Sequence, residues 1–177
     1  MSAATAPSVE TATAKLARTL RLGLPILLVV IALLVYLGTR FHLAIDDQVD
    51  KCLPPYTVFL VDRHDRVVHR GGLYAFFAGD RMAPFFPPER MVIKRVVGGP
   101  GDHVTVGEAA TRVNGDTVGE GLALAGTLGQ SKTHYARELE VPQDALWIMG
   151  ATRDSFDSRY WGPLPTRQII GRAYALF

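Results

Sequence analysis

The sequence predicts a mainly β protein, with a compact antiparallel β domain behind one N-terminal transmembrane helix. Short apolar and alternating runs, separated by turn residues, follow one another from Tyr56 to the end of the chain. An uncharged apolar run, Leu22 to Thr39, precedes them. Within its 177 residues the sequence has no internal repeat, and this length suits one modest domain plus one appended element.

The apolar run is predicted to be a membrane-spanning helix. Its eighteen residues, 22–39, would form a helix about 27 Å long, close to the roughly 30 Å hydrocarbon core of a bilayer. A buried core helix and a cleaved export signal are the alternatives. Basic residues precede the run and acidic residues follow it, so the positive-inside rule predicts a cytoplasmic N-terminus. The predicted division is a cytoplasmic tail over residues 1–21, disordered in its first fourteen, the helix over 22–39, and an external domain over 40–177.

The domain is predicted to start with a polar connector, residues 40–51, and to continue as short strands. The Asn114-Gly115 turn between alternating runs is a strong hairpin signal, and residues 119–131 are predicted to be an exposed loop. The predicted strands are Tyr56 to Val61, Val67 to Arg70, Leu73 to Phe77, Met91 to Val97, His103 to Val106, Thr111 to Val113, Glu138 to Pro142, Ala145 to Met149 and Ile169 to Leu176.

The composition argues against several classes of function. The formal net charge is +2 and no basic stripe with interleaved aromatic residues occurs, so nucleic acid is not an expected partner. A single cysteine, Cys52, excludes an intramolecular disulfide. None of the five histidines lies at metal-ligand spacing with another potential ligand, and we expect neither a metal nor another cofactor.

Lys94 lies inside the predicted apolar strand Met91 to Val97. Ile93 precedes it, and Arg95 and then Val96 follow it. Burial in such a strand disfavours the charged form of an amine, and a neutral amine is a general base at neutral pH. The alternative is a lysine whose stem packs while its ammonium group reaches water.

A general base needs a nucleophile, and Cys52 is the candidate. Between Arg40 and Ile93 there is no serine, and Thr57 is the only threonine. A lysine next to a hydroxyl or thiol forms a hydrolytic dyad, a variant of the serine triad. The alternative is a small buried cysteine without a chemical role.

Two segments resemble the conserved boxes of type I signal peptidases. The segment Ile93 to Asp102, which reads IKRVVGGPGD, is similar to the box that carries the family's general-base lysine. The segment Gly150 to Gly162, with its Ser-Phe-Asp-Ser-Arg core, is similar to the family's C-terminal box. The two boxes occur in the family's order, behind a membrane helix and a candidate nucleophile followed by Leu53-Pro54.

The resemblance has three departures. Cys52 stands where the family has a serine nucleophile, Asp50 stands where one branch has an oxyanion-stabilising serine, and Ala151 replaces an aspartate. The backbone N–H of Cys52 therefore remains as the expected oxyanion donor. The short nucleophile segment and the compact domain are similar to the TraF-like peptidases of conjugative transfer systems.

The resemblance implies a signal-peptidase-like fold and a membrane-anchored endopeptidase with a Cys52–Lys94 dyad. By this resemblance Ser155 orients Lys94, while Asp157 and Arg159 form an ion pair that supports the loop. It implies a bacterial inner-membrane protein with a periplasmic domain, and an exported pre-protein as substrate. A pilin precursor is the expected substrate, and a conjugative transfer or secretion apparatus is a possible partner. The alternatives are a degenerate, non-catalytic scaffold of a transfer or secretion channel, and a housekeeping signal peptidase of broad specificity.

Overall fold

The computed structural model describes residues 9–48 and 51–177, and the chain divides after Arg40 into two compact units. The first unit contains helix α1, Val9–Arg40. Its segment Ala17–Arg40 is long and apolar enough to cross a membrane, as the sequence predicted for residues 22–39. The helix begins at Val9, so the prediction of disorder over the first fourteen residues is wrong for residues 9–14, while residues 1–8 lie outside the described residues.

The second unit, residues 41–177, is mainly antiparallel β structure, which confirms the predicted fold class. Its strands are β1 Phe41–Ile45, β2 Val58–Asp62, β3 Leu73–Phe77, β4 Met91–Gly98, β5 His103–Val106, β6 Ala110–Val113, β7 Asp116–Glu120, β8 Arg137–Glu140, β9 Ala145–Met149, β10 Leu164–Pro165 and β11 Ile169–Ala175. Two four-residue helices interrupt them, α2 Lys132–Tyr135 and α3 Ser158–Trp161.

The strands form two sheets. The larger sheet has seven strands in the order β1-β2-β11-β3-β4-β9-β10, and the smaller has four in the order β7-β6-β5-β8. The predicted Asn114-Gly115 turn joins β6 to β7, with positive φ angles at both residues as a type I′ hairpin requires. One buried cluster packs around Trp147 between the smaller sheet and β9, and a second packs around Phe76 on the larger sheet.

Two predicted elements around the first strands are wrong. The predicted polar connector contains β1, an edge strand that pairs antiparallel with β2 from Phe41 opposite Asp62 to Ile45 opposite Val58. The predicted strand Val67 to Arg70 is irregular. There the Tyr74 hydroxyl accepts from the His69 N–H at 2.9 Å and donates to the Val67 carbonyl at 2.8 Å, so these backbone groups are satisfied without a neighbouring strand.

The predicted exposed loop over residues 119–131 is also partly wrong. Strand β7 extends into it as far as Glu120. Leu122 and Ala125 are buried in the cluster around Trp147, and the chain between them forms turns rather than a free loop. Apolar residues of this segment therefore reach the protein interior close to the candidate site described below.

Candidate active site

Strand β4 carries Lys94 into the interior of the larger sheet. The strand lies between β3 and β9, and Lys94 pairs with Tyr74 across the ladder. The alternation of the strand places Val92, Lys94 and Val96 on its buried side. Lys94 is only 2% exposed, so its amino group does not reach water in the way that the alternative interpretation required.

The amino group of Lys94 donates a hydrogen bond to the hydroxyl of Ser155, with Nζ and Oγ 2.6 Å apart. Ser155 is 3% exposed and lies in the loop between β9 and α3. Within the part of the chain that the structure describes, no carboxylate forms an ion pair with Lys94. The buried amine thus has a hydroxyl oxygen as its hydrogen-bond partner, and this contact fixes the position of the amino group.

The same loop holds the segment that carries Cys52. The backbone N–H of Ala151 donates to the carbonyl oxygen of Cys52 at 2.7 Å. Because this bond comes from the main chain, it does not depend on the side chain at position 151. Gly150 allows the loop and the Cys52 segment to lie this close together. A Cβ at position 150 would lie 2.6 Å from the Ser155 Cβ and 3.0 Å from the Cys52 carbonyl oxygen.

Cys52 itself is half-buried and its thiol is free. The thiol donates to Oε1 of Gln48 with a Sγ–O distance of 3.4 Å. Gln48 in turn donates its backbone N–H to the Asp46 carboxylate at 3.1 Å. Asp50, the position that differs from the family's oxyanion serine, lies outside the described residues.

Asp157 and Arg159 form a fully buried ion pair, with Nε of Arg159 2.8 Å from Oδ1 of Asp157. Burial acts to lower the pKa of Arg159, but the hydrogen bonds and charge of Asp157 outweigh it and raise the pKa above its ordinary value. Asp157 also accepts the backbone N–H of Gly150 at 3.0 Å. The pair therefore ties the two ends of the loop to each other.

The guanidinium of Arg159 also binds the backbone of its surroundings. It donates to five carbonyl oxygens, those of Glu120, Gly121, Thr152, Arg153 and Ser155. A planar group with five N–H donors suits such a site, because one side chain can satisfy several carbonyl groups of an irregular loop. These contacts support the position of Ser155, and the pair lies beside the dyad residues rather than among them.

Two cavities meet at Cys52 and Lys94. The smaller, about 70 Å3, lies between the end of β1 and strand β4. The larger, about 200 Å3, lies on the side of the Ser155 loop. Its lining also includes Gln48, Phe85, Phe86, Leu124, Thr127, Leu128, Thr152, Asp154, Ser155 and Phe156. The structure thus gathers Cys52, Lys94 and Ser155 around one space, although they come from three separate parts of the sequence.

The sequence offered no signal for several of these residues. Gln48 lies in a segment interpreted as a polar connector, and its position beside the thiol depends on how β1 ends. Leu124 and Leu128 belong to the segment predicted as an exposed loop. Gly150 was part of the recognised box, but only the structure shows which neighbours exclude a side chain there. Among the described residues, no group of three or more His, Cys, Asp or Glu side chains could hold a metal ion.

Comparisons with known proteins agree with these motifs. The family model "Signal peptidase, peptidase S26" matches residues 16–177. The chain is similar to a probable signal peptidase I-2 of Synechocystis sp., with 35% identity over 48% of this chain and 37% of that protein. It is also similar to signal peptidase I of Leptolyngbya laminosa, with 32% identity over 66% of this chain and 56% of that protein.

A longer alignment relates the chain to a probable signal peptidase I-1 of Synechocystis sp., with 30% identity over 85% of this chain and 79% of that protein. The first two alignments span only about a third to just over half of the relatives' lengths. The match to the family model covers the membrane-helix candidate and the whole β domain.

Proposed function

Because the chain belongs to the signal peptidase S26 family, we propose that it is a membrane-anchored endopeptidase that removes signal peptides from exported pre-proteins. The single observation that carries the proposal is the buried hydrogen bond between Lys94 and Ser155 beside a cavity that Cys52 also lines. In this proposal Cys52 is the nucleophile, Lys94 is the general base and Ser155 is a positioning residue.

The reaction proceeds in two steps. Neutral Lys94 takes the proton of the Cys52 thiol, and the sulfur attacks the carbonyl carbon of the scissile peptide bond. The backbone N–H of Cys52 stabilises the negative oxygen of the tetrahedral intermediate. The Lys94 ammonium then gives its proton to the leaving amine, and a thioester remains. Lys94 next takes a proton from water, whose oxygen attacks the thioester and releases the signal peptide and the thiol.

A cysteine is chemically competent in this role. A thiol is much more acidic than a serine hydroxyl, so a cysteine depends less on its base than a serine does. In the structure the thiol donates to Gln48 rather than to an ionised partner. Cys52 and Lys94 line the same two cavities, and catalytic hydrogen bonds commonly form or tighten only when substrate binds.

Helix α1 anchors the enzyme in this proposal, since Ala17–Arg40 meets the length and composition of a membrane span. The basic residues Arg18 and Arg21 precede the apolar part, and Asp46 and Asp47 follow the helix. The positive-inside rule then places the N-terminus in the cytoplasm and the β domain in the periplasm of a bacterial inner membrane.

We assign a pilin precursor of a conjugative system as the finer substrate, on the resemblance of the short nucleophile segment to the TraF-like peptidases. The test compares two substrates, a pilin precursor and an unrelated signal-bearing pre-protein, both incubated with the full chain in lipid vesicles. Faster cleavage of the pilin precursor supports this substrate, and equal cleavage supports a housekeeping peptidase. A defect in general secretion upon depletion would also support the housekeeping role.

A non-catalytic scaffold of a transfer or secretion channel is the second candidate. The hydrogen bond of the thiol to Gln48, together with the replacement of the family serine, is the observation that favours it. The scaffold role predicts that neither substrate is cleaved and that Cys52→Ala supports transfer or secretion as well as the native chain. Cleavage that requires Cys52 excludes it.

A further inference from the structure

The larger cavity is apolar, and only two of its twelve lining residues are charged. These are Lys94, the proposed base, and Asp154, an exposed carboxylate of the loop between β9 and α3. Five of the other ten lining residues are aromatic or aliphatic. Phe85 and Phe156 contact each other edge to face, with ring centroids 5.6 Å apart, and Leu124 and Leu128 are half-buried beside them. The proposed chemistry has no step that uses this wall.

The two cavities share Cys52, Lys94, Gln48 and Phe86. A peptide whose scissile carbonyl lies at Cys52 must therefore extend away from the reacting groups in two directions. The smaller cavity is bounded by the end of β1 and by strand β4, between which an extended chain can add main-chain hydrogen bonds. Its volume of about 70 Å3 suits small side chains. This assigns the smaller cavity to residues before the scissile bond.

We propose, on the basis of the function proposed above, that the larger cavity binds the first residues of the mature protein. It selects a bulky apolar residue one or two positions after the scissile bond. Its volume of about 200 Å3 has room for a leucine or phenylalanine side chain. Ser155 lines only this cavity of the two, so the leaving amine that Lys94 protonates forms on this side. The charge of Asp154 complements the positive α-amino group that cleavage creates.

The substrate class that follows is a pre-protein with small residues before the cleavage site and a large apolar residue just after it. A single methylene group in an apolar pocket already changes kcat/KM by about 10-fold to 200-fold. A leucine-bearing peptide should therefore be cleaved at least about tenfold faster than its glycine counterpart.

The experiment uses the full chain in detergent micelles and two peptide series with a constant sequence before the scissile bond. One series carries Gly, Ala, Leu or Phe at the first position after the bond, and the other carries them at the second. Thr127→Trp fills the cavity from an exposed position, and Leu128→Ala enlarges it. Val67→Trp is the matched control, since Val67 is exposed and lines neither cavity.

We expect the native chain and Val67→Trp to prefer Leu or Phe in one of the two series. In Thr127→Trp the ratio of Leu-peptide to Gly-peptide cleavage should fall to about one, and Leu128→Ala should shift the preference from Leu to Phe. Equal rates across both series, or a preference that survives Thr127→Trp, would overturn the inference. If the native chain cleaves no peptide at all, the proposed function itself fails, which is a different outcome.

Discussion

Lys94 and Ser155 are 61 positions apart in the sequence, yet Nζ of the first lies 2.6 Å from Oγ of the second in the protein interior. The lysine belongs to a central strand and the serine to an irregular loop, so two different kinds of structure define the contact. The loop is held by the Asp157–Arg159 pair on one side and by the Cys52 carbonyl on the other. In the proposed mechanism this contact orients the amine that takes the proton of Cys52.

Ser155→Ala should lower kcat by about 10-fold to 100-fold with little change in KM. The variant removes a hydrogen bond to an amine that changes charge during the reaction, and such bonds contribute about 1.5–3 kcal/mol. The measurement is steady-state cleavage of a signal-bearing peptide by the full chain in micelles.

Ser158→Ala is the matched control for that variant. Ser158 is equally buried and belongs to the same box, but its hydroxyl accepts the backbone N–H of Ile148 at 3.1 Å and does not contact Lys94. This control should lose stability and keep kcat per folded molecule. An equal loss of kcat in both variants would show that Ser155 acts only through the fold of the loop.

Gly150→Ala should reduce activity more than it reduces stability. The added Cβ would overlap with the Ser155 side chain and crowd the Cys52 carbonyl, so the two segments that form the site must move apart. Overpacking of this kind costs about 1–3 kcal/mol. Gly126→Ala is the control, because a Cβ at Gly126 meets no atom within 4 Å. Full activity of Gly150→Ala would contradict the close approach of Cys52 to the loop.

Arg159→Lys should lower the free energy of unfolding by about 3–5 kcal/mol, because it removes most of the hydrogen bonds of a buried ion pair and leaves Asp157 partly unpaired. Chemical denaturation of the full chain in micelles, followed by circular dichroism, measures this loss. Arg172→Lys is the control at a partly exposed pair, where Arg172 lies 3.7 Å from Asp65, and it should cost at most about 1 kcal/mol. Similar losses in the two variants would show that the Asp157–Arg159 pair is not a main support of the domain.

Asp102 should contribute stability that is lost in acid. Its burial acts to raise the pKa of the carboxyl, but hydrogen bonds from Gly99 and Asn114 and the charge of Arg70 outweigh burial and hold the pKa below its ordinary value of 3.8. A lowered pKa in the folded state means that this contribution is complete above the unfolded pKa and disappears as the pH falls through the folded pKa. Unfolding curves of the native chain and of Asp102→Asn, measured from neutral pH to pH about 2, should therefore converge in acid. A constant difference between the two curves over that range would contradict the assignment.

The strands that carry Lys94 and close the sheet could be predicted from the sequence. Short apolar or alternating runs bounded by turn residues reflect local chemistry, so β3, β5 and β9 begin and end where the pattern indicated. Strand β1 could not be predicted in this way, because an edge strand with exposed Leu43 and Ile45 lacks a clear buried face. The segment from Val67 to Arg70 has the pattern of a strand but does not form one. The hydroxyl of Tyr74 makes hydrogen bonds with its backbone in place of a neighbouring strand.

The candidate site residues could be named from the sequence, whereas most of their surroundings could not. Lys94, Ser155, Asp157 and Arg159 lie in boxes whose order resembles a known family, and residue types alone selected Cys52. The sequence did not predict the residues of the cavity wall or the contact of Gln48 with the thiol. These features depend on contacts between distant loops, which leave no periodic pattern in the sequence. The shape of the two cavities therefore depends on tertiary contacts that the sequence does not reveal.

In the proposed mechanism Cys52 and Lys94 act together, and one cleavage assay measures whether both side chains are needed. Cleavage of a signal-bearing pre-protein by the full chain in lipid vesicles is compared among the native chain, Cys52→Ala, Cys52→Ser and Lys94→Ala, with the exposed Lys132→Ala as control. Both active-site alanine variants should lose about a thousandfold or more in rate, Cys52→Ser should keep part of the activity, and Lys132→Ala should match the native chain. Undiminished cleavage by Cys52→Ala or by Lys94→Ala would contradict the dyad.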